Sequence, residues 1–446
     1  MADLVIRADT IWTNDADNRV IRDGAVAVAG SRISDVGPAD QILADFGSGA
    51  EIMNVDHGLI MPGLVNAHTH VSMTCLRGLA DDLELMTWLN KHIFPAEAQI
   101  NGEMVYWGAM LGCAEMIMSG TTFFCDMYLF EDQVARAADR SGLRALVGEV
   151  LYDFPSPNYG PPDDGLIFTE RLIEQYKGHE RVSIAVEPHA LYTCSPDLLT
   201  SCRDLASRHN VPLITHLSEN QNEVDTIKER YQTTPVRHLY NLGILNENLI
   251  ADHCVVLDAE ELSLLAQNRV RVAHNPQSNM KLASGIAPIP DLLAAGVKVG
   301  LGTDGPASNN NLDIFEEMDS AAKLHKVHRL DPTVMKAETV LAMATSMGAD
   351  VLGQGGQTGR LAQGYLADLI VIDLNQPHLT PMYHPASHLV YSANGADVIH
   401  SMVHGRWLME DRKLTTIDLR EVYNHMASIS EIMAKAVNNT NGINNG

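Results

Sequence analysis

Up to about Val55, apolar positions come in short runs: Leu4-Val5-Ile6, Thr10–Thr13, Gly24–Val28 and Arg32–Val36. Turn-forming pairs such as Asp23-Gly24 and Gly37-Pro38 separate them, which predicts short strands joined by tight turns. The same pattern returns at Ala367–Asp373 and Val398–Gly405. Residues 1–57 and 366–446 are therefore expected to form one small, discontinuous β-rich domain, a β-sandwich built from both chain ends. Between them, residues 58–365 alternate β-branched apolar runs with helical stretches, the pattern of βα units around a parallel sheet. Eight strands are predicted: Leu59–Asn66, Thr121–Asp126, Ala145–Val150, Val182–Glu187, Pro212–Thr215, Leu249–Ala251, Val270–Ala273 and Val297–Gly302. Their unbroken apolar character fits strands covered on both faces. The fold class that follows is α/β, a (β/α)8 TIM-like barrel carrying the small β domain. One helix shows how the pattern works: Met104, Val105, Trp107, Leu111, Ala114 and Met118 recur at helical spacing, and Gly120 stops it.

Composition narrows the partners. The 446 residues carry 31 Lys+Arg against 56 Asp+Glu, a formal charge of −25, which disfavours a nucleic-acid partner. No apolar run approaches the ~18–20 residues needed to span a bilayer, and the N-terminal stretch lacks the plan of a signal peptide. Six scattered cysteines without a C-x-x-C pair read as reduced thiols, so the expected location is cytoplasmic. A homo-oligomer with a small-molecule substrate is the expected arrangement.

The candidate chemistry lies in where histidines and acids fall relative to the strands. His68 and His70 follow the first strand as H-x-H. His189 lies past the fourth, His216 ends the fifth, His253 follows the sixth and Asp304 ends the eighth. Functional groups of a barrel gather at the C-terminal ends of its strands, so these six are expected to converge on one cleft. Imidazoles with one carboxylate suit Zn2+, with iron or manganese as alternatives, better than Mg2+ or Ca2+, which prefer oxygen cages. Three histidines and an aspartate leave room for a water whose pKa falls toward ~7, which predicts metal-assisted hydrolysis. Glu219, in His216-Leu217-Ser218-Glu219, is placed to move a proton at a bound substrate. Taken alone it also reads as a solvated loop acid; the neighbouring ligand favours the first reading.

Pro62-Gly63-Leu64-Val65-Asn66-Ala67-His68-Thr69-His70, with His216–Glu219 and Thr303-Asp304-Gly305, resembles the amidohydrolase superfamily over essentially the whole chain. Leu76–Leu83, Met86–Leu89 and Phe94–Glu97 are similar, more narrowly, to the 5′-methylthioadenosine/S-adenosylhomocysteine deaminases. The resemblance implies one zinc held by His68, His70, His216 and Asp304, with His253 positioning the attacking metal-bound hydroxide. It also implies that Glu219 protonates a ring nitrogen of adenine while Asp304 accepts the water proton. Hydroxide adds at C6 and ammonia leaves. By the same resemblance Glu97 contacts the ribose hydroxyls and His189 the substrate. Trp88 either walls the base or packs in the core. Deamination of guanine, or hydrolysis of a triazine, is the alternative within the superfamily, and a non-catalytic scaffold of the same fold is the remote one. A two-metal variant requires a bridging residue, for which Glu187 is the nearby candidate.

One loop departs from the family. Members that recognise a homocysteine carboxylate place Arg after the third strand, and residues 152–165 here contain none, while Asp163 and Asp164 repel an anion. Methylthioadenosine or adenosine is therefore expected to be a better substrate than S-adenosylhomocysteine.

Overall fold

A computed structural model describes residues 2–83 and 85–443. Strands β1 (Leu4–Trp12), β2 (Val20–Ala29), β3 (Arg32–Pro38) and β4 (Glu51–Pro62) come from the first part of the chain. Nine further strands follow before the C-terminal group β14 (Leu369–Asp373), β15 (Val398–Val403), β16 (Arg406–Glu410) and β17 (Lys413–Leu414). Both chain ends contribute to one extra sheet domain, with strands hydrogen-bonded in the order β17-β16-β15-β14-β4-β1-β2-β3. The join is β4, which pairs in parallel with β1 and antiparallel with β14.

The middle of the chain is the expected barrel. In order around it stand β5 (Leu64–Thr69), β6 (Thr121–Tyr128), β7 (Arg144–Leu151), β8 (Val182–Ile184) with β9 (Glu187–Pro188), β10 (Leu213–Leu217), β11 (Leu249–His253), β12 (Arg271–His274) and β13 (Val299–Leu301). All pairings among them are parallel. Every residue of β6 and β7 is buried, as strands covered on both faces require. Bridges at Val186–Leu213 and Ala190–His216 join the two halves on one side. On the other, Asn66 closes the ring: its Oδ1 accepts from Thr303 N at 3.1 Å and its Nδ2 donates to Thr303 Oγ1 at 2.8 Å.

Two of the predicted strands are drawn differently. Leu59–Asn66 straddles the end of β4 and the start of β5, divided at Gly63. A Cβ there would lie 2.1 Å from Thr122 Oγ1, so only glycine lets the chain cross from the terminal sheet to the barrel. The terminal sheet thus keeps the chain through Pro62. Val182–Glu187 is interrupted at Ala185-Val186, giving β8 and β9. The helix read from the methionine pattern runs Gly102–Met118, with the Asn101 side chain capping Met104 N at its start.

Asp368, just before β14, fastens the terminal sheet to the barrel. Its carboxylate accepts from Arg144 Nε at 2.9 Å, Thr358 Oγ1 at 3.0 Å and His404 N at 2.7 Å. Burial alone would raise the pKa of Asp368, but these donors, Arg144 first among them, hold it below the usual carboxylate range. No helix among the described residues is long and apolar enough to cross a membrane.

Candidate active site

The C-terminal ends of the barrel strands bring the scattered histidines together. His68 lies on β5 and His70 directly after it; His216 is on β10 and His253 ends β11. His189 follows β9, and Asp304 stands just past β13. His68 packs edge-on against His70, His216 and His253, with ring centroids 4.8, 5.0 and 5.6 Å away. Two groups could each hold an ion, His68-His70-His216 and His68-His253-Asp304, with ligand atoms within 4.8 Å of one another inside each group. They share His68, so they describe one centre. Glu187, the candidate bridge for a second ion, belongs to neither group.

Backbone conformation aims these side chains. Ser218, His253 and Asp304 have φ of 52°, 71° and 61°, a left-handed region costly for residues with a Cβ. A regular strand turns successive side chains to opposite faces. The left-handed turn at His253 breaks that alternation, and Asp252 and His253 both come up against His68.

The ring nitrogens fit a metal. Nδ1 of His216 faces the His189 carbonyl at 2.7 Å, Nδ1 of His253 faces Asn279 Oδ1 at 2.9 Å, and Nδ1 of His70 meets the Met127 carbonyl. Nδ1 of His68 is 3.1 Å from Asp252 Oδ2. Each acceptor claims the proton on Nδ1 and leaves Nε2 with its lone pair for an ion. His68 Nε2 is fully buried with no hydrogen-bond partner among the described residues, which suits a metal-ligating nitrogen.

Asp304 is the anionic member. Its Oδ2 accepts from Ser278 Oγ at 2.6 Å and Ser308 Oγ at 2.9 Å, and its Oδ1 from Gly305 N at 2.7 Å. That Oδ1 also lies 3.1 Å from His70 Nε2 and 3.6 Å from His68 Nε2. Burial opposes its charge, but the two imidazoles hold Asp304 well below the usual carboxylate range. His216 and His189 are shifted the other way: burial drives His216 well below its ordinary value and His189 down to about 3, so both stay neutral. Burial acts the same way on His68, yet Asp252 and Asp304 raise it to about 10 in the metal-free protein.

A cleft of about 830 Å3, counting its open mouth, leads to this centre. Glu219, Glu97, His189 and Trp88 all line it, so these four and the five ligand candidates gather around one centre and its cleft, while Glu187 does not. Glu219 is held from behind: the Glu223 carboxylate accepts from Ser218 N at 3.1 Å and Glu219 N at 2.8 Å. Burial and the nearby Asp304 raise the pKa of Glu219, which favours its protonated form. Glu97 is raised to about 7 by burial, against the pull of Tyr128 and His70. Trp88 lines the cleft, and its Nε1 donates to the Ala80 carbonyl at 3.1 Å. His189 also has a second use, since its carbonyl orients His216; its own Nδ1 faces Thr193 Oγ1 at 2.9 Å. Glu223, Asp252, Ser278, Asn279 and Ser308 escaped the sequence reading. Glu223 carried a signal, four residues after Glu219 and three after the capping Asn220.

The amidohydrolase family pattern matches residues 59–408. A relative from Syntrophobacter fumaroxidans, described as a 5-methylthioadenosine/S-adenosylhomocysteine deaminase, is 58% identical over 96% of this chain and 98% of its own length. A 5′-deoxyadenosine deaminase from Methanosarcina barkeri is 42% identical over 98% of this chain and 100% of its own. A zinc-bound adenosine deaminase from Xanthomonas campestris superimposes with a TM-score of 0.94 at 37% identity, covering 97% of this chain and 99% of its own. By fold, by the arrangement of histidines at the strand ends and by these relatives, the chain belongs to the amidohydrolase family.

Proposed function

We propose that this protein is a zinc-dependent aminohydrolase that converts the 6-amino group of an adenine nucleoside to a carbonyl, consuming water and releasing ammonia. The observation that carries this is a pair of acids with opposite states at one cleft floor: Glu219, shifted toward the neutral form, and Asp304, held ionised. A cyclic amidine needs a proton delivered to its ring nitrogen and another removed from water, and two carboxyls with pKa values pushed apart supply both. His68, His70, His216 and Asp304 would hold the ion. When bound, it supplies a Lewis acid that brings the pKa of a water toward ~7.

Asp304 takes the proton from water, its position locked by Ser278, Ser308 and Gly305 N. Glu219 protonates N1 of the base, which weakens the ring's hold on electrons and makes C6 susceptible to addition. His253, oriented by Asn279, steers water toward C6. His189 and Trp88 bind the base, and Glu97 the ribose hydroxyls. The named relatives share an adenine nucleoside and differ at the 5′ position. The six thiols are all free, which suits a reducing cytoplasm.

The cleft favours an uncharged 5′ group. No Lys or Arg lines it among the described residues, and Phe154 stacks on Tyr152 with centroids 3.8 Å apart, with Phe94 edge-on at 6.5 Å. A carboxylate tail entering there finds no cation. Ammonia release from methylthioadenosine, adenosine, S-adenosylhomocysteine, guanine and a triazine tests the reading. The expected order in kcat/KM is methylthioadenosine and adenosine above S-adenosylhomocysteine, with guanine and triazine inert. Turnover of guanine or triazine alone overturns it. Glu219→Gln should retain zinc and lose about 10²–10⁴-fold in kcat; a zinc-loaded variant of undiminished rate removes Glu219 from the chemistry.

A further inference from the structure

His68 is the only residue common to both ligand groups, and the only one of the four imidazoles at this centre whose Nδ1 faces a side-chain carboxyl. That carboxyl, Asp252, is completely buried in the barrel interior. Neither of its oxygens has a hydrogen-bond partner among the described residues, and neither ring nitrogen of His68 has one. Oδ2 and Nδ1 are nevertheless 3.1 Å apart, off the ideal hydrogen-bond line. Each is buried without a hydrogen bond elsewhere, and the approach of Asp252 at 3.1 Å is closer than that of Asp304 Oδ1 to His68 Nε2 at 3.6 Å. Asp252 is brought there by the register of β11 on β10, which sets it beside His216 one residue before the left-handed turn at His253.

We propose that Asp252 is a positioning residue: it claims the proton of His68 Nδ1 and so keeps the Nε2 lone pair turned to the metal centre. The proposal rests on the zinc site proposed above and adds to it a group that touches neither metal nor substrate. A neutral imidazole carries its proton on one nitrogen only, and a proton on Nε2 would block the shared ligand of the whole site. Backbone carbonyls do this work for His70 and His216, and Asn279 for His253. Asp252 differs from Asn279 in that its carboxyl carries two oxygens and no N–H, so no flip turns an amide donor toward Nδ1.

The barrel interior also contains an internal control. The Glu187 carboxyl fits over Gly148, where a Cβ would come within 2.4 Å of Glu187 Cδ, and its two oxygens are likewise unpartnered. It is a buried acid in the same barrel that meets no candidate ligand. If acidity of the interior mattered rather than the contact with His68, Glu187→Gln and Asp252→Leu would act alike.

The test is zinc affinity, measured by competition with a chromophoric chelator, beside thermal unfolding of the metal-free proteins. Asp252→Leu, close in volume and without an acceptor, should weaken zinc binding about 10–100-fold. Asp252→Asn should fall between it and wild type, because an amide offers Nδ1 a donor as readily as an acceptor. Glu187→Gln should stay within about threefold. Thermal unfolding of the metal-free variants shows which of them fold. Wild-type zinc affinity in Asp252→Asn overturns the proposal, as does an equal loss in Glu187→Gln. Should the Leu variant not fold, Asp252→Asn against Glu187→Gln decides alone. If zinc fails to bind the wild-type protein at all, the metal reading itself falls, and the two failures are distinguishable.

Discussion

Asp304 and Asp368 are both aspartates at the edge of a strand, both buried, and both held below the usual carboxylate range. Their counter-charges differ. Asp368 meets the Arg144 guanidinium through two nitrogens, a cation that is part of the chain and fixed by its further bond to the Glu180 carbonyl. Asp304 meets two serine hydroxyls, a backbone N–H and two imidazoles, none of which carries a permanent charge. A buried carboxylate needs compensation in either place. Where the compensating cation is covalent, the result is a joint between the terminal sheet and the barrel. Where it is exchangeable, the result is a place for an ion and for chemistry.

Breaking the two aspartates' surroundings should therefore hit different properties. Asp304→Asn removes an anionic ligand and a proton acceptor together. We expect kcat/KM for ammonia release to fall by about 10³–10⁴-fold or more, with zinc content reduced. Near-normal turnover with zinc present would place the base elsewhere. Arg144→Met strands Asp368 without its cation and should cost about 3–5 kcal/mol in urea-induced unfolding, while kcat/KM of the folded enzyme changes little. A large loss of turnover at unchanged stability would mean that the joint and the site are not separate.

The same contrast explains what the sequence could reveal. His68, His70, His216, His253 and Asp304 are legible because ligating residue types are scarce and each stands at the end of a strand that hydrophobic pattern alone marks. The residues that touch those groups are less so. Ser278 comes from the helix Pro276–Lys281 and Ser308 from the loop after β13, and each becomes relevant only when the barrel brings it to Asp304. Serines and buried acids are too common for position to single them out, and Asp252 reads as one more polar residue beside a histidine. The strand that was misdrawn has a similar cause. Leu59-Ile60-Met61 and Leu64-Val65 form a nearly unbroken apolar run, and hydrophobicity is blind to a change of sheet at Gly63. Strand pattern likewise does not tell which strands share an edge, and β4 joins the strands of both chain ends.

The smallest effect concerns acid. The folded pKa of Asp368 is lowered, so this group binds a proton more weakly in the native than in the unfolded protein. Its contribution is fully present above the unfolded value of about 3.9 and is lost as pH falls through the lower, folded value. Asp368→Asn lacks that contribution at every pH. The stability gap between wild type and Asp368→Asn should be widest at neutral pH, begin to close near the unfolded pKa, and shrink steadily below it. Urea midpoints at pH 7, 5, 4 and 3 read the gap directly, on metal-free protein so that proton competition at the zinc site does not contribute. A gap that stays constant from pH 7 to 3 would show that Asp368 titrates alike in the folded and unfolded protein and that its partners do not favour its charge. The joint would then no longer contrast with Asp304 by its fixed charge.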